Sequence, residues 1–189
     1  MNYKKIINTI SISKDIINRY IKEGDVVLDA TVGNGNDTLE LAKLVGKSGK
    51  VYGFDIQKIA IEKTRALLNG NNLDSNLLLI NDSHEKIDEY IFEPLDGAIY
   101  NLGYLPKGDK KIITEPKSTV NSILKTLDLL KNNGIIVIVS YLGHPGGMDE
   151  NNALERMLRD LDQKQYNVLK TDFINQKNYP PILYLIEKA

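Results

Sequence analysis

Four residues with carbonyl or carboxylate side chains follow four successive apolar segments of this 189-residue chain. The four are Asp29, Asp55, Asp82 and Asn101. Their oxygens can accept hydrogen bonds from hydroxyl groups or amines. Because the carboxyl ends of parallel strands meet at one edge of a sheet, we expect these side chains to surround a common ligand site.

The stretch from Asp29 to Thr38 connects the first apolar segment to a helical pattern. It reads Asp-Ala-Thr-Val-Gly-Asn-Gly-Asn-Asp-Thr, and its glycines, Gly33 and Gly35, allow the backbone to turn sharply or to lie against a ligand. The loop amides and the helix N-terminus would point the same way and form a cradle for a nucleotide-like ligand.

The same loop discriminates between nucleotide-like ligands. A dinucleotide fingerprint has a third glycine where this chain has Thr38, and it lacks the preceding Asp-Ala-Thr. S-adenosylmethionine carries a cationic amine and a sulfonium, so an additional acid suits it better than a dinucleotide. Asp55, about twenty residues beyond the loop, is placed to accept hydrogen bonds from a ribose diol, as NAD-binding proteins also do. The alternative role of Asp29 is to cap the amides of the loop.

The composition excludes several classes of chemistry. The chain has no cysteine, which removes disulfides, thiolate metal sites, iron–sulfur clusters and cysteine nucleophiles. The two histidines lie far apart, so we predict no metal site. The net charge is −1 and 42% of the residues are hydrophobic. Without an apolar run of ~18 residues or a secretory leader, we expect one soluble, cytoplasmic domain over residues 1–189 and no membrane partner.

Strand-like and helical patterns alternate along the chain. We predict strands at 26–29, 50–55, 77–80, 95–100, 135–141, 166–173 and 182–186. We predict helices at 13–21, 36–45, 59–68, 117–130 and 149–162, with a short one ending near Tyr90. This alternation indicates a three-layer, Rossmann-like α/β sheet that is mostly parallel. The connection between the last two strands, of about eight residues, is too short for a parallel crossover, so the last strand is expected to be antiparallel.

The chain resembles the class I S-adenosylmethionine-dependent methyltransferases over nearly its whole length. Asp29-Ala-Thr-Val-Gly-Asn-Gly is similar to their first motif, Asp55 to the ribose-binding second motif, and Asp82-Ser83-His84 to the third motif, which flanks adenine. The resemblance implies S-adenosylmethionine as the cofactor. It assigns these residues to the cofactor: Asp29, Thr31, Gly33, Asn34, Gly35, Asn36, Asp37, Asp55, Gln57, Asp82, Ser83 and His84.

Three segments narrow the resemblance to a small bacterial family labelled as rRNA methylases. They are the loop from Asp29 to Thr38, Asn-Leu-Gly-Tyr-Leu-Pro from Asn101, and Gly-His-Pro-Gly-Gly from Gly143. The family includes the enzyme that methylates 5-aminomethyl-uridine derivatives at the tRNA wobble position. The resemblance therefore implies an RNA N-methyltransferase, with the anticodon stem-loop of tRNA as its partner; a homodimer is an open alternative to a monomer. One departure is Lys107, where a glycine pair is expected.

Methyl transfer requires a lone pair held in line with the methyl carbon. Methylation of a pyrimidine C5 normally uses a cysteine, which this chain lacks, so amines, ring nitrogens and hydroxyls remain. Asn101 stands where amino methyltransferases carry an Asn-Pro-Pro-Tyr motif, and its carbonyl could orient an amine; alternatively it caps its loop. Tyr104 could stack on uracil or pack within the loop. His144 could accept a proton, contact RNA or shape its glycine-rich turn.

Basic side chains cluster in the sequence around the segment that follows Asn101. We expect Lys107, Lys110 and Lys111, with Tyr141, to contact RNA, and Lys117, Lys4, Lys5 and Lys14 to extend the basic patch. Other substrates remain as alternatives: rRNA, a small molecule or a protein. Outside the methyltransferases, the alternatives are a dinucleotide-dependent oxidoreductase and a non-catalytic nucleotide-binding module.

Overall fold

The computed structural model describes residues 8–73, 76–103 and 113–189. Its strands are β1 Val26–Asp29, β2 Lys50–Phe54, β3 Leu77–Ile80, β4 Leu95–Leu102, β5 Leu130–Ser140, β6 Tyr166–Thr171 and β7 Ile182–Lys188. Its α-helices are α1 Thr9–Tyr20, α2 Asn36–Val45, α3 Lys58–Asn69, α4 Ile87–Tyr90, α5 Pro116–Leu129 and α6 Gly147–Arg159. A short 3₁₀ helix, His84–Lys86, precedes α4.

The strands form one sheet in the order β3-β2-β1-β4-β5-β7-β6. β1 to β5 run parallel, whereas β7 pairs antiparallel with both β5 and β6. The predicted class of fold and the antiparallel last strand are therefore confirmed. The strand order reverses between β1 and β4, and in open α/β sheets such a reversal leaves a crevice at the carboxyl ends of the two strands.

Two apolar clusters cover the two faces of the sheet. Ile17, Leu41 and Leu68, from α1, α2 and α3, belong to the cluster on one face. Ile123 and Leu154, from α5 and α6, belong to the cluster on the other. The result is a sheet between two helical layers, which keeps the strand ends around the crevice in fixed positions.

The first helix begins one turn earlier than predicted. Asn8 caps it, and the Asn8 and Ser11 side chains each accept a hydrogen bond from the other's backbone amide, forming a capping box. Ser13, where the predicted helix begins, instead lies inside the helix, and its hydroxyl donates to the carbonyl of Ile10. The apolar periodicity alone missed this turn because Thr9 is polar yet buried.

β5 begins at Leu130, five residues earlier than predicted, and its first residues are irregular. The pairing of β4 with β5 shifts register between Leu95 and Gly97, and Asn133 has a φ of 64°. Other element boundaries differ from the predictions by a few residues. No helix in the described ranges is long and apolar enough to cross a membrane.

Candidate active site

A cavity of about 980 Å³ opens at the carboxyl ends of the parallel strands, beside the reversal between β1 and β4. Most of the site residues predicted from the sequence lie on its wall. They are Thr31, Gly33, Asn34, Asn36, Asp37, Asp55, Gln57, Asp82, Ser83, His84, Asn101, Tyr141 and His144. The parallel sheet thus gathers residues that are far apart along the chain.

Asp29 was predicted to contact the cofactor, but it does not line this wall. Its carboxylate is fully buried and accepts hydrogen bonds from the Thr38 hydroxyl, at 2.6 Å, and the Thr31 amide, at 3.1 Å. Burial raises the pKa of Asp29 to about 7, and the nearby Asp37 carboxylate adds to the shift. The geometry supports the alternative role, in which Asp29 holds the loop in shape.

Gly35 also lies away from the wall, contrary to its predicted contact with the cofactor. It is the residue before α2 and has a φ of 79°, in the left-handed region that suits glycine. A Cβ at this position would lie 2.5 Å from Thr64 Oγ1 on α3. Gly35 is therefore required by the close packing of α2 on α3.

Asp55 joins the glycine loop to the end of β2. Its carboxylate accepts hydrogen bonds from the Gly33 amide at 2.9 Å and the Gln57 amide at 2.8 Å. Burial raises the pKa of Asp55, and the two amide bonds oppose that shift. A carboxylate fixed in this way on the cavity wall can accept hydrogen bonds from a ribose diol with its remaining lone pairs.

The segment after β3 contributes three polar side chains to the wall. The Asp82 carboxylate accepts hydrogen bonds from the Ser83 amide at 2.7 Å, the Tyr90 hydroxyl at 2.9 Å and Lys86 Nζ at 3.1 Å. These bonds lower the pKa of Asp82, the Ser83 amide most strongly. The carboxylate predicted to flank adenine is thus held by side chains of the 3₁₀ helix and α4 that follow it.

His84 has an unusual environment on the same wall. Burial lowers its pKa to about 4, so the ring is neutral near pH 7. Its ring lies edge-on to Tyr100 at 6.0 Å. Its Nδ1 is buried and has no hydrogen-bond partner among the residues that the structure describes. A buried nitrogen without a protein partner on a cavity wall suits a ligand with its own hydrogen-bonding group.

Asn101, at the end of β4, is held by two neighbours. Its backbone amide donates to Thr31 Oγ1 at 2.7 Å, and its side-chain Nδ2 donates to Asp37 Oδ2 at 2.9 Å. The second bond fixes which way the amide faces, so Oδ1 is the atom that can accept from an amine. Burial raises the pKa of Asp37, whereas Lys14 lowers it.

Tyr141 and His144 come from the segment after β5. The carbonyl of Pro145 can only accept, so its 3.0 Å contact with His144 Nδ1 favours a ring with hydrogen on Nδ1. A Cβ at Gly147 would lie 2.8 Å from Nε2, so glycine there makes room for the ring.

Helix α1 supplies wall residues that were not predicted to lie at the cofactor site. Ile10, Lys14 and Asn18 lie four residues apart on one face of α1 and line the cavity. Lys14 pairs with Glu40 at 3.1 Å, and that carboxylate raises the pKa of Lys14. The capping box at Asn8 is the sequence signal that would have extended the helix to Ile10. Lys14 was expected to join a basic patch for RNA, but its ammonium group is paired with the Glu40 carboxylate.

Several predicted residues lie outside the described ranges. They are Tyr104, Lys107, Lys110 and Lys111, which follow β4 in the sequence, and Lys4 and Lys5 at the N-terminus. Within the described ranges, no group of three or more histidine, aspartate or glutamate residues is arranged to hold a metal ion.

The cavity fits S-adenosylmethionine by the chemistry of its wall. Its volume is within the range of small-molecule sites. Asp55 offers an acceptor suited to ribose hydroxyls, and His84 offers a nitrogen without a protein partner. These residues fit the sugar and base of an adenosine, and the acids on the wall suit a cationic amine.

Comparison with known proteins gives the same picture. Residues 51–187 match the family described as "Putative rRNA methylase". The chain is 37% identical over 178 residues to the chloroplastic tRNA (mnm(5)s(2)U34)-methyltransferase of Arabidopsis thaliana, covering 89% of this chain and 65% of the plant protein. This chain therefore spans less than two thirds of that relative.

Two solved structures resemble the whole chain. A protein of Clostridium thermocellum that carries the rRNA-methylase description is 46% identical, with a TM-score of 0.95 and complete coverage of both chains. SMU.1697c of Streptococcus mutans, solved with SAH (S-adenosylhomocysteine) bound, is 38% identical, with a TM-score of 0.88 and complete coverage of both chains.

Proposed function

The chain belongs to this rRNA methylase family, and on that premise we propose that it is an S-adenosylmethionine-dependent N-methyltransferase acting on tRNA in the cytoplasm. Its reaction converts 5-aminomethyl-(2-thio)uridine at wobble position 34 into 5-methylaminomethyl-(2-thio)uridine. The observation that carries the amine specificity is the orientation of Asn101 on the cavity wall by Asp37.

The cofactor is S-adenosylmethionine, which supplies a methyl group on a sulfonium when it is bound. Family membership and the SAH complex of the S. mutans relative support this assignment. Asp55 is the residue that would hold the ribose, the amides of the loop around Gly33 would face the amino-acid portion, and His84 would lie beside adenine. Asp29 and Gly35 act at a distance by keeping this loop in place.

The substrate amine must present a neutral lone pair at the moment of attack. Asn101 Oδ1 accepts one hydrogen of that amine and adds no charge, so it orients the lone pair and stabilises the protonated form less than a carboxylate would. His144 lies on the same wall, and its imidazole is the candidate group to take up the proton that the amine loses.

The similarity to the plant wobble-uridine enzyme supports the choice of tRNA and of an aminomethyl group. The absence of cysteine from the chain also agrees with an amine nucleophile, since it removes the usual route to methylation at a pyrimidine C5.

Nucleoside mass spectrometry tests the substrate. We expect tRNA from a strain without this gene to accumulate 5-aminomethyl-(2-thio)uridine, and the purified protein with S-adenosylmethionine to convert it to the methylated nucleoside. An unchanged nucleoside profile in the deletion strain would contradict the tRNA assignment.

The Asn101→Ala variant tests the role of the amide in the same reaction. Turnover should fall roughly 100-fold through loss of amine positioning, while the affinity for SAH stays within about twofold. Near-normal turnover would show that Asn101 does not orient the amine.

An rRNA substrate is the second candidate, because the family description names rRNA. The mass spectrometry experiment distinguishes the two when rRNA and tRNA from the deletion strain are digested separately. A methylated nucleoside that disappears from rRNA alone would establish the second candidate.

A further inference from the structure

The connection between β6 and β7 reaches the cavity from a distant part of the chain. β7 begins beside the end of β5, where Ile182 pairs with Ser140. The preceding residues therefore lie at the same sheet edge as the cavity. Tyr179 and Pro181, from this connection, line its wall together with Ile10 of α1. We call these three residues the apolar rim.

The apolar rim is attached to the rest of the fold. The buried Thr9 side chain donates a hydrogen bond to the carbonyl of Pro181 at 2.8 Å. This bond joins the first turn of α1 to the end of the β6–β7 connection, 172 residues away. The rim is therefore formed by two segments, α1 and the β6–β7 connection, which this hydrogen bond holds together.

Tyr179 presents a large aromatic surface to solvent at this rim. Its side chain is 65% exposed, and Ile10 is 41% exposed. Tyr179 has a φ of 51° and Asn178 a φ of 67°. A left-handed backbone is unfavourable for a bulky residue and persists where the surrounding structure holds it. Here Pro180 and Pro181 follow directly and restrict the chain.

We propose that the apolar rim stacks an unpaired nucleobase of the substrate RNA at the entrance of the cavity, with the Tyr179 ring as its principal surface. The inference rests on the proposed function. The rim is continuous with the wall that holds Asn101, so its occupant is part of the molecule that enters the cavity. Aromatic side chains bind single-stranded bases of any sequence through their π-faces.

One exposed basic residue of the β6–β7 connection agrees with an RNA occupant. Lys177 is exposed two residues before Tyr179. A lysine close in sequence to an exposed tyrosine suits the alternation of phosphate and base in a single strand. The unpaired bases of an anticodon loop present such a strand.

Binding of a fluorescein-labelled anticodon stem-loop RNA, measured by anisotropy with SAH present, tests the proposal. Tyr179→Leu should weaken RNA binding roughly tenfold, the order expected for one lost base stack. Tyr179→Phe keeps the ring and should bind RNA within about twofold of the wild type. Leucine and phenylalanine are both unbranched at Cβ, so the two variants carry similar backbone strain.

The matched control is Tyr20→Leu, which removes another exposed tyrosine outside the cavity wall. It should leave RNA affinity unchanged. All variants should keep their affinity for SAH, which shows that they are folded. The salt dependence of RNA binding should keep its slope in Tyr179→Leu, because no phosphate contact is lost.

A base-stacking signal provides an independent readout. 2-Aminopurine placed next to the wobble position should change its fluorescence on binding to the wild type and to Tyr179→Phe, but not to Tyr179→Leu.

The outcomes separate this proposal from the proposed function. If Tyr179→Leu bound RNA within twofold of the wild type, the stacking proposal would be overturned, whereas methylation of the RNA by the wild type would still uphold the proposed function. A wild type that neither bound nor methylated the RNA would overturn both. A Tyr179-dependent change in sedimentation mass without RNA would assign the rim to a second copy of the chain and would also overturn the proposal.

Discussion

At the scale of single residues, the acids predicted to bind the cofactor divide into two groups. Asp37, Asp55 and Asp82 lie on the cavity wall, where each also accepts at least one hydrogen bond from a neighbouring group. Asp29 lies off the wall, and its carboxylate accepts hydrogen bonds from the Thr31 amide and the Thr38 hydroxyl. The first group can act on a ligand directly, whereas Asp29 acts on the geometry of the cradle.

Removing the Asp55 carboxylate should weaken cofactor binding. Asp55→Ala removes the hydrogen-bond acceptor expected for the ribose hydroxyls. It also removes the acceptor of the Gly33 and Gln57 amides. We expect a loss of about 1–3 kcal/mol in affinity for SAH, measured by calorimetry. Asp88→Ala, which removes an exposed carboxylate paired with Lys125, is the control and should bind SAH normally. Unchanged binding by Asp55→Ala would refute the ribose assignment.

Asp29 should make stability depend on pH. Its pKa rises from the ordinary 3.8 to about 7 in the folded chain. The folded state therefore binds a proton more tightly than the unfolded state, and this contribution is full below about pH 4 and lost as the pH rises through 7. Relative to Asp29→Asn, the wild type should lose about 2 kcal/mol of unfolding free energy between pH 5 and pH 8.

Urea unfolding at the two pH values measures this difference. Asp88→Asn serves as the control, because the Asp88 carboxylate is exposed. A constant difference between the wild type and Asp29→Asn at pH 5 and pH 8 would show that Asp29 titrates normally in the fold.

At the scale of elements, the position of the cradle depends on how closely α2 approaches α3. Gly35 makes this approach possible, since a Cβ there would meet Thr64 Oγ1 at 2.5 Å. Thr64 is itself buried, and its hydroxyl has no partner within the described part of the chain. Glycine is therefore required at position 35 for two reasons: its backbone has a left-handed φ, and a Cβ would collide with Thr64.

A double-mutant cycle separates these two requirements. Gly35→Ala should lower the unfolding free energy by about 1–3 kcal/mol through the clash and the left-handed φ. Adding Thr64→Ala should recover the unfolding free energy lost to the clash, because the colliding atoms are removed. The free energy lost to the left-handed φ should not be recovered. Denaturant unfolding of both single variants and the double variant measures the coupling. Strictly additive effects would show that the two residues do not meet.

At the scale of the whole molecule, the cavity collects wall residues from the first helix, the glycine loop, the ends of β2 to β5 and the β6–β7 connection. A ligand at such a place contacts many elements at once. We propose that the chain behaves as one domain and unfolds in one cooperative transition, which ligand binding shifts as a unit.

Cofactor binding should therefore stabilise the entire chain. At a SAH concentration 100 times its dissociation constant, the unfolding free energy should rise by about 2.7 kcal/mol. For a chain of this size, that corresponds to roughly 5–10 °C in midpoint temperature. Thermal unfolding followed by circular dichroism measures the shift, with NAD at the same concentration as the comparison. Stabilisation by NAD without stabilisation by SAH would refute the methyltransferase interpretation.

Local sequence patterns determined the strand ends, the glycine loop and the alternation of elements. These patterns depend on neighbours within a few residues, which is why the parallel sheet and the gathering of Asp55, Asp82 and Asn101 at one edge were predictable. The start of α1 was missed, although a local capping box marks it.

Only the tertiary structure decided which polar groups face the cavity. Asp29 and Asp37 are acids at the two ends of the glycine loop, yet packing buries the first and brings the second to Asn101, 64 residues away. The pairing of Lys14 with Glu40 and the arrival of Tyr179 beside Ile10 likewise join distant segments. Such contacts arise when two segments pack on the same scaffold, and neither segment carries a pattern that specifies its partner.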